Sequence, residues 1–286
     1  MRLNPFNTSN IDVRGGGGGG GRRAGGVGCG AIVIALIGAV VFGIDPATTL
    51  STIGGMDSGA PSQQTAGASE QELCSANAYA TETCNALDSL NTTWAGVFQE
   101  QGVQGFKQPS LTFLNGGPVN TGGCGRASSA MGPFYCPADQ GIYIDTRFYD
   151  QLAQMSGDRG DFARLYVIAH EYGHHIQTIT GISNQIRSAQ AQNPRASNQL
   201  QVLMELQADC YAGVWAAKNS DRIERGDLQE GMRAAASIGD DTLQRNAGQR
   251  VNPEGFTHGT SEQRMRALQE GFKGDDRRCD EITQIR

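Results

Sequence analysis

His170 and His174 stand four residues apart, with Glu171 directly after the first. On a helix, four residues turn the second imidazole by only about 40° and raise it by about one turn, so two ring nitrogens can converge on one Zn²⁺. Glu171 lies about 100° round from His170, displaced from the pair and placed to hydrogen-bond a water at the metal instead of ligating it. The pattern is HExxH, and its chemistry is hydrolysis by an activated water. The chain has four histidines, and three of them fall in this short stretch, where purely structural histidines would be scattered. The third, His175, lies about 140° round from His170 and is expected to face away from the metal, packing or supporting the ligands from behind.

A catalytic zinc takes three protein ligands and keeps a fourth position open. One zincin branch finds its third ligand by continuing as HExxHxxGxxH, but Gln177 and Thr180 occupy those positions here. The other branch uses a glutamate on a later helix, within an ExxxD run. Glu205 and Asp209 form such a run, one turn apart in the otherwise apolar segment Asn198 to Ala217. An unpaired carboxylate buried there would cost on the order of several kcal/mol. Glu205 is therefore expected on the zinc, and Asp209 is expected to accept the free N–H of a ligating histidine, fixing its orientation.

Two helices must position these residues. Asp161 to Gly181 opens with a capping-type residue, closes with glycine, and repeats apolar residues at helical spacing through Leu165, Ile168, Tyr172, Ile176 and Ile179. Asn198 to Ala217 supplies the second. Upstream, Glu70 to Gln101 carries Leu87, Leu90, Trp94, Val97 and Phe98 at helical spacing and stops at Gly102. Between Pro109 and Asp145 short runs, Leu111 to Leu114 and Gly141 to Asp145, alternate with turn residues, which predicts a small antiparallel sheet. Beyond Thr146 the pattern is helical, with breaks at 157–160, 181–195, 239–241 and 251–259. The fold class expected is α+β, strands first and helices after.

The folded domain is expected to span 70–286. Ahead of it, 1–26 is expected to be a glycine-rich cytoplasmic tail, 27–44 a single transmembrane helix, and 45–69 a flexible linker. Residues Val27 to Ile44 carry no charge and as a helix would rise about 27 Å, close to the hydrocarbon thickness of a bilayer. Arg22 and Arg23 precede the stretch and Asp45 follows it, so the positive-inside bias places Met1 in the cytoplasm and the main domain outside, on the periplasmic or extracellular side of the membrane. A cleaved signal peptide would need a small-x-small site after the apolar run, and no clean one follows. Met1 to Ile44 carries +3 (Arg2, Arg14, Arg22 and Arg23 against Asp12), leaving −9 of the total −6 for the rest; such an acidic domain argues against a nucleic-acid partner. Outside the apolar stretch lie Cys74, Cys84, Cys124, Cys136, Cys210 and Cys279. An even number in an exported domain predicts disulfides, and proximity favours Cys74–Cys84 and Cys124–Cys136, leaving Cys210–Cys279.

HEYGHH (170–175), MELQADCYAGVWA from Met204, GPFYCPADQGIYID (132–145) and GFTHGTSEQR (255–264), taken together and in order, resemble the neutral zinc metallopeptidase family of bacteria. The resemblance runs from about Gln71 to Cys279, and the glycine-rich tail and apolar anchor are similar to that family as well. It implies a zincin-like metallopeptidase fold holding one Zn²⁺ on His170, His174 and Glu205, with Glu171 as general base and a protein or peptide as substrate. It also implies a strand beside the active-site helix that pairs with an extended substrate, for which Ile142, Tyr143 and Ile144 are the candidates. A donor for the developing oxyanion is needed too, and His258 and Tyr211 are the polar candidates. Two alternatives share the ligands: a zinc hydrolase of a non-peptide amide, and an inactive zinc-stabilised scaffold tethered at the membrane. The intact Glu171 weighs against the scaffold.

Overall fold

The structure, a computed structural model, describes residues 1–16, 68–114 and 118–284. The expected span 27–44 lies outside the described residues. Among those described, no helix is long and apolar enough to cross a membrane.

The chain runs β1 (Val13–Gly15), α1 (Glu70–Cys74), α2 (Ala78–Glu100), β2 (Ser110–Phe113), β3 (Val119–Asn120), β4 (Arg126–Ala127), β5 (Phe134–Cys136), β6 (Gly141–Ile144), α3 (Phe148–Ser156), α4 (Asp161–Ile179), α5 (Ile182–Gln192), α6 (Ser197–Lys218), α7 (Asp227–Ser237), α8 (Asp240–Asn246), α9 (Ser261–Gly271) and α10 (Arg277–Asp280). The mixed α+β class agrees with expectation. The helix expected over Glu70 to Gln101 is split in two, because Asn77 caps α2 through its side chain on the Ala80 N–H.

The sheet is not simply antiparallel. Its order is β1-β2-β6-β5, with β1 and β6 both parallel to β2 and β5 antiparallel to β6; β3 and β4 form a separate antiparallel ribbon. The glycine-rich turns predict local hairpins, and β5–β6 and β3–β4 are such hairpins. The parallel pairs join strands far apart in sequence, a relationship that turn residues do not encode.

Residues 1–16, expected to belong to a cytoplasmic tail ahead of a domain beginning at residue 70, are instead packed on this body. Val13 pairs with Leu111 and is buried, as are Met1 and Ile11. The Phe6 N–H donates to Asn85 Oδ1 at 2.9 Å, and Asn91 Nδ2 donates to the Asn10 carbonyl at 2.6 Å. Asn91 in turn accepts from the Tyr172 hydroxyl at 2.8 Å, so this segment is hydrogen-bonded through one asparagine to the helix carrying the histidines.

That helix, α4, is central. Ile168, Tyr172 and Ile176 on its apolar stripe are buried together with Leu87, Leu90, Trp94 and Trp215, and each such side chain contributes about 1.5–3 kcal/mol on leaving water. The three disulfides are Cys74–Cys84, Cys124–Cys136 and Cys210–Cys279, the pairing that proximity predicts.

Candidate metal centre

α4 and α6 approach closely at Gly173, the residue before His174. A Cβ there would lie 2.8 Å from Ala208 Cα and 2.9 Å from the Ala208 carbonyl oxygen, so a larger residue would push the two helices apart. The close crossing brings Glu205 of α6 against the histidines of α4. His170 Nε2 lies 3.2 Å and His174 Nε2 3.6 Å from Glu205 Oε2, and the three candidate ligand atoms fall within 4.8 Å of one another.

Each imidazole has its other nitrogen engaged. His170 Nδ1–H donates to Asp209 Oδ1 at 2.8 Å, and His174 Nδ1–H donates to Gln177 Oε1 at 2.9 Å. With each Nδ1 so engaged, Nε2 is the nitrogen that each ring turns towards Glu205, and a metal there would replace the proton that His170 Nε2 shares with Glu205. Glu205 Oε1 accepts from Gln201 Nε2 at 2.9 Å, leaving Oε2 on the histidine side. Two neutral imidazoles and a carboxylate are a donor set suited to zinc with one position open.

The electrostatics agree. Glu171, Glu205 and Asp209 are all buried, and the guanidinium in contact with this group is Arg264, whose Nε and Nη2 donate to Asp209 at 2.8 and 2.9 Å. Burial alone would raise Asp209, but Arg264 and His170 hold it at about 2. Burial would lower His170, yet Asp209 and Glu205 lift it to about 10. Burial would also raise Glu205, and the neighbouring imidazoles hold it well below the usual carboxylate range. The positive charge that the imidazoles supply to Glu205 and Asp209 here is the charge that a divalent cation on the three ligand atoms would supply in its place.

Glu171 differs from the other two carboxylates. Among the described residues its carboxylate accepts no hydrogen bond, and burial raises its pKa against the pull of His170 and His174. A desolvated carboxylate beside the ligands is poised to take up a proton.

His258 comes close through a loop anchored on Asp240, which accepts the Thr257, His258 and Gly259 N–H groups at 2.8, 2.6 and 3.0 Å. His258 Nδ1 is 3.2 Å from Asp240 Oδ1, and the ring is near enough to pull Glu205 down.

Three expectations turn out otherwise or gain detail. Tyr211 is not brought to the cluster: its hydroxyl donates to Asp280 and its ring packs edge-on against Trp94. Two residues past Asp209 is about 200° round the helix, the opposite face. Ile142, Tyr143 and Ile144 lie in β6, which is paired with β2 on one side and β5 on the other; its backbone has no free edge for a substrate. Among the described residues the outer edges of β1 and β5 are unpaired, and β5 is the edge strand that packs against α4. His175 does point away: its Nε2–H donates to the Lys107 carbonyl at 2.6 Å, and its Nδ1 accepts from Tyr135 of β5 at 3.1 Å.

Arg264, Tyr166, Gln177 and Gln207 were not singled out from sequence. Tyr166 donates to Asp209 at 2.5 Å and Arg264 Nη2 reaches its hydroxyl at 3.1 Å. The available signal was weak: Arg264 ends the GFTHGTSEQR run, and Tyr166 precedes His170 by one turn.

The family described as "Putative neutral zinc metallopeptidase" matches residues 5–282. Uncharacterized protein YpfJ of Escherichia coli (strain K12) is 46% identical over 197 residues, covering 68% of each chain. Uncharacterized protein Rv2575 of Mycobacterium tuberculosis (strain ATCC 25618 / H37Rv) is 36% identical over 265 residues, covering 86% of this chain and 85% of that one. No solved structure matches. With the match extending over nearly the whole described fold and through every residue of the cluster, the chain belongs to this neutral zinc metallopeptidase family.

Proposed function

We propose that the protein is a zinc-dependent peptidase that hydrolyses peptide bonds of proteins or peptides outside the cytoplasm. The observation that carries the reading is the convergence of His170 Nε2, His174 Nε2 and Glu205 Oε2 beside Glu171, which is 8% exposed and accepts no hydrogen bond among the described residues. His170, His174 and Glu205 would hold the zinc, which when bound supplies a Lewis acid that polarises a carbonyl and acidifies water. Glu171 takes the proton of the attacking water and passes it to the amide nitrogen that leaves. His258, with Nδ1 committed to Asp240, has Nε2 to offer the developing oxyanion. The free edge of β5 is the strand available to pair with an extended substrate.

Three disulfides support a domain in an oxidising compartment, and the charge-free stretch 27–44 supports attachment to a membrane.

Glu171→Gln is the test. The variant keeps its zinc while chelator-sensitive cleavage of casein falls by roughly 100- to 10,000-fold. Wild-type protein that holds zinc and cuts neither casein nor a peptide library would move the reading to a non-peptide amidase or a scaffold; wild-type protein that holds no zinc would end it.

A further inference from the structure

The Nδ1–H of His174 is the start of a longer chain of hydrogen bonds. Gln177 Oε1 accepts it at 2.9 Å, and Gln177 Nε2 donates to Gln207 Oε1 at 3.0 Å and to the Met204 carbonyl at 2.7 Å. Gln207 Nε2 then donates to the Cys279 carbonyl at 3.2 Å and to Thr283 Oγ1 at 3.0 Å. Both glutamines are fully buried, at 0% exposure. The direction is set at both ends: a carbonyl can only accept, so Gln207 must donate there, Gln177 must donate to Gln207, and the Gln177 oxygen is left to take the imidazole proton.

Cys279 does not hold its place by helix packing alone. It sits in α10, a single turn, and is bonded to Cys210 of α6, less than one turn beyond Gln207. The next contact is also tight, since a Cβ on Gly271 would lie 1.9 Å from the Cys210 carbonyl oxygen.

We propose that Gln177 and Gln207 are positioning residues for His174, and that the Cys210–Cys279 disulfide anchors the far end of their relay, so that zinc affinity depends on that disulfide. The inference rests on the reading that His170, His174 and Glu205 hold zinc. The relay presents Nε2 of His174 in one tautomer and one ring orientation. Cutting it at any link leaves the ring free to turn and a buried amide group without its partner.

The test measures zinc dissociation constants by chelator competition, and the visible spectrum of the Co²⁺-substituted protein, on the full chain. Gln177→Ala and the similarly sized Gln177→Met, both without the acceptor for the His174 proton, each weaken zinc binding by about 10–100-fold and change the Co²⁺ spectrum. Zinc binding and a Co²⁺ spectrum unchanged in Gln177→Met would make Gln177 a packing residue and overturn the proposal. For the anchor, Cys210→Ala/Cys279→Ala and Gln207→Leu are combined in a double-mutant cycle. Each weakens zinc on its own, and the disulfide-free variant has no further effect once Gln207 is replaced. Simple additivity would show that the disulfide acts through global stability and would overturn its role. A wild-type protein that binds neither Zn²⁺ nor Co²⁺ would instead remove the metal reading beneath it, an outcome visible before any variant is made.

Discussion

His170 and His174 offer the same nitrogen to the same point from one helix, yet their supports differ in kind. Behind His170 stand a carboxylate, a guanidinium and a phenol: Asp209, Arg264 and Tyr166. Behind His174 stand two neutral amides and two backbone carbonyls. The charged support makes its imidazole the more basic of two otherwise similar ligands, but leaves an ion pair buried where neither member tolerates loss of the other. The amide support polarises its ring less, and its loss leaves no buried charge without a counter-charge. One side therefore ties the metal to the stability of the fold, and the other lets ligand orientation vary in smaller steps.

The comparison is broken most severely by Arg264→Leu. Asp209 would keep its charge and lose its counter-charge in a fully buried site, and about 3–5 kcal/mol of stability should go with it, measured by urea unfolding. Loss below about 1 kcal/mol would mean that Asp209 is adequately held by His170 and Tyr166. His175, the helix's third histidine, bears on neither support and serves as a control. Burial holds it at about 4 against an ordinary value of 6.5, despite the Lys107 carbonyl that favours its charged form. The unfolded chain therefore takes up this proton first as pH falls, and stability should decline from about pH 6.5 to about pH 4 by on the order of 3 kcal/mol. His175→Gln should flatten that part of the profile; an unchanged slope would place the titration elsewhere. Asp209→Asn makes the His170 side resemble its neighbour by exchanging a carboxylate for an amide, and should weaken zinc by about 10–100-fold in chelator competition, about 1.4–2.7 kcal/mol. Equal affinity in wild type and variant would mean the charge adds nothing to ligation. The smallest effect is at Thr260, which caps the helix carrying Arg264 through the Gln263 N–H. Thr260→Ala should cost about 1 kcal/mol in the same unfolding assay and leave zinc affinity unchanged; a matching loss of zinc would show that α9 frays far enough to move Arg264.

How much of this the sequence discloses depends on distance along the chain. His170, Glu171 and His174 are related by one helical turn, and Glu205 and Asp209 by another, so their relative directions follow from helix geometry. Gln177 lies on the same turn as His174 and was open to the same reading, but a neutral amide in a polar-looking position carries no cost that demands a partner. Arg264 and Gln207 meet the cluster only through tertiary packing. α5 lies within the stretch read as a break at 181–195, because Gly181, Asn193 and Pro194 bound a segment too polar to show an apolar stripe. In the sheet, Val13, Leu111 and Ile142 sit side by side from three distant places, and β5 takes the edge assigned to β6; strand neighbours of that kind are set by the core and not by local pattern.

The first sixteen residues bear on how the chain meets a membrane. Gly15 ends β1 against α1, where a Cβ on it would lie 3.1 Å from Leu73 Cδ2, so residues 16 and 68 lie at neighbouring places on the domain. A strip of backbone that departs and returns on one side of a bilayer has crossed it an even number of times. A single crossing between residues 16 and 68 and a complete four-stranded sheet thus exclude one another in the same molecule: a protein anchored that way gives up β1, and the edge of β2 is bared in its place.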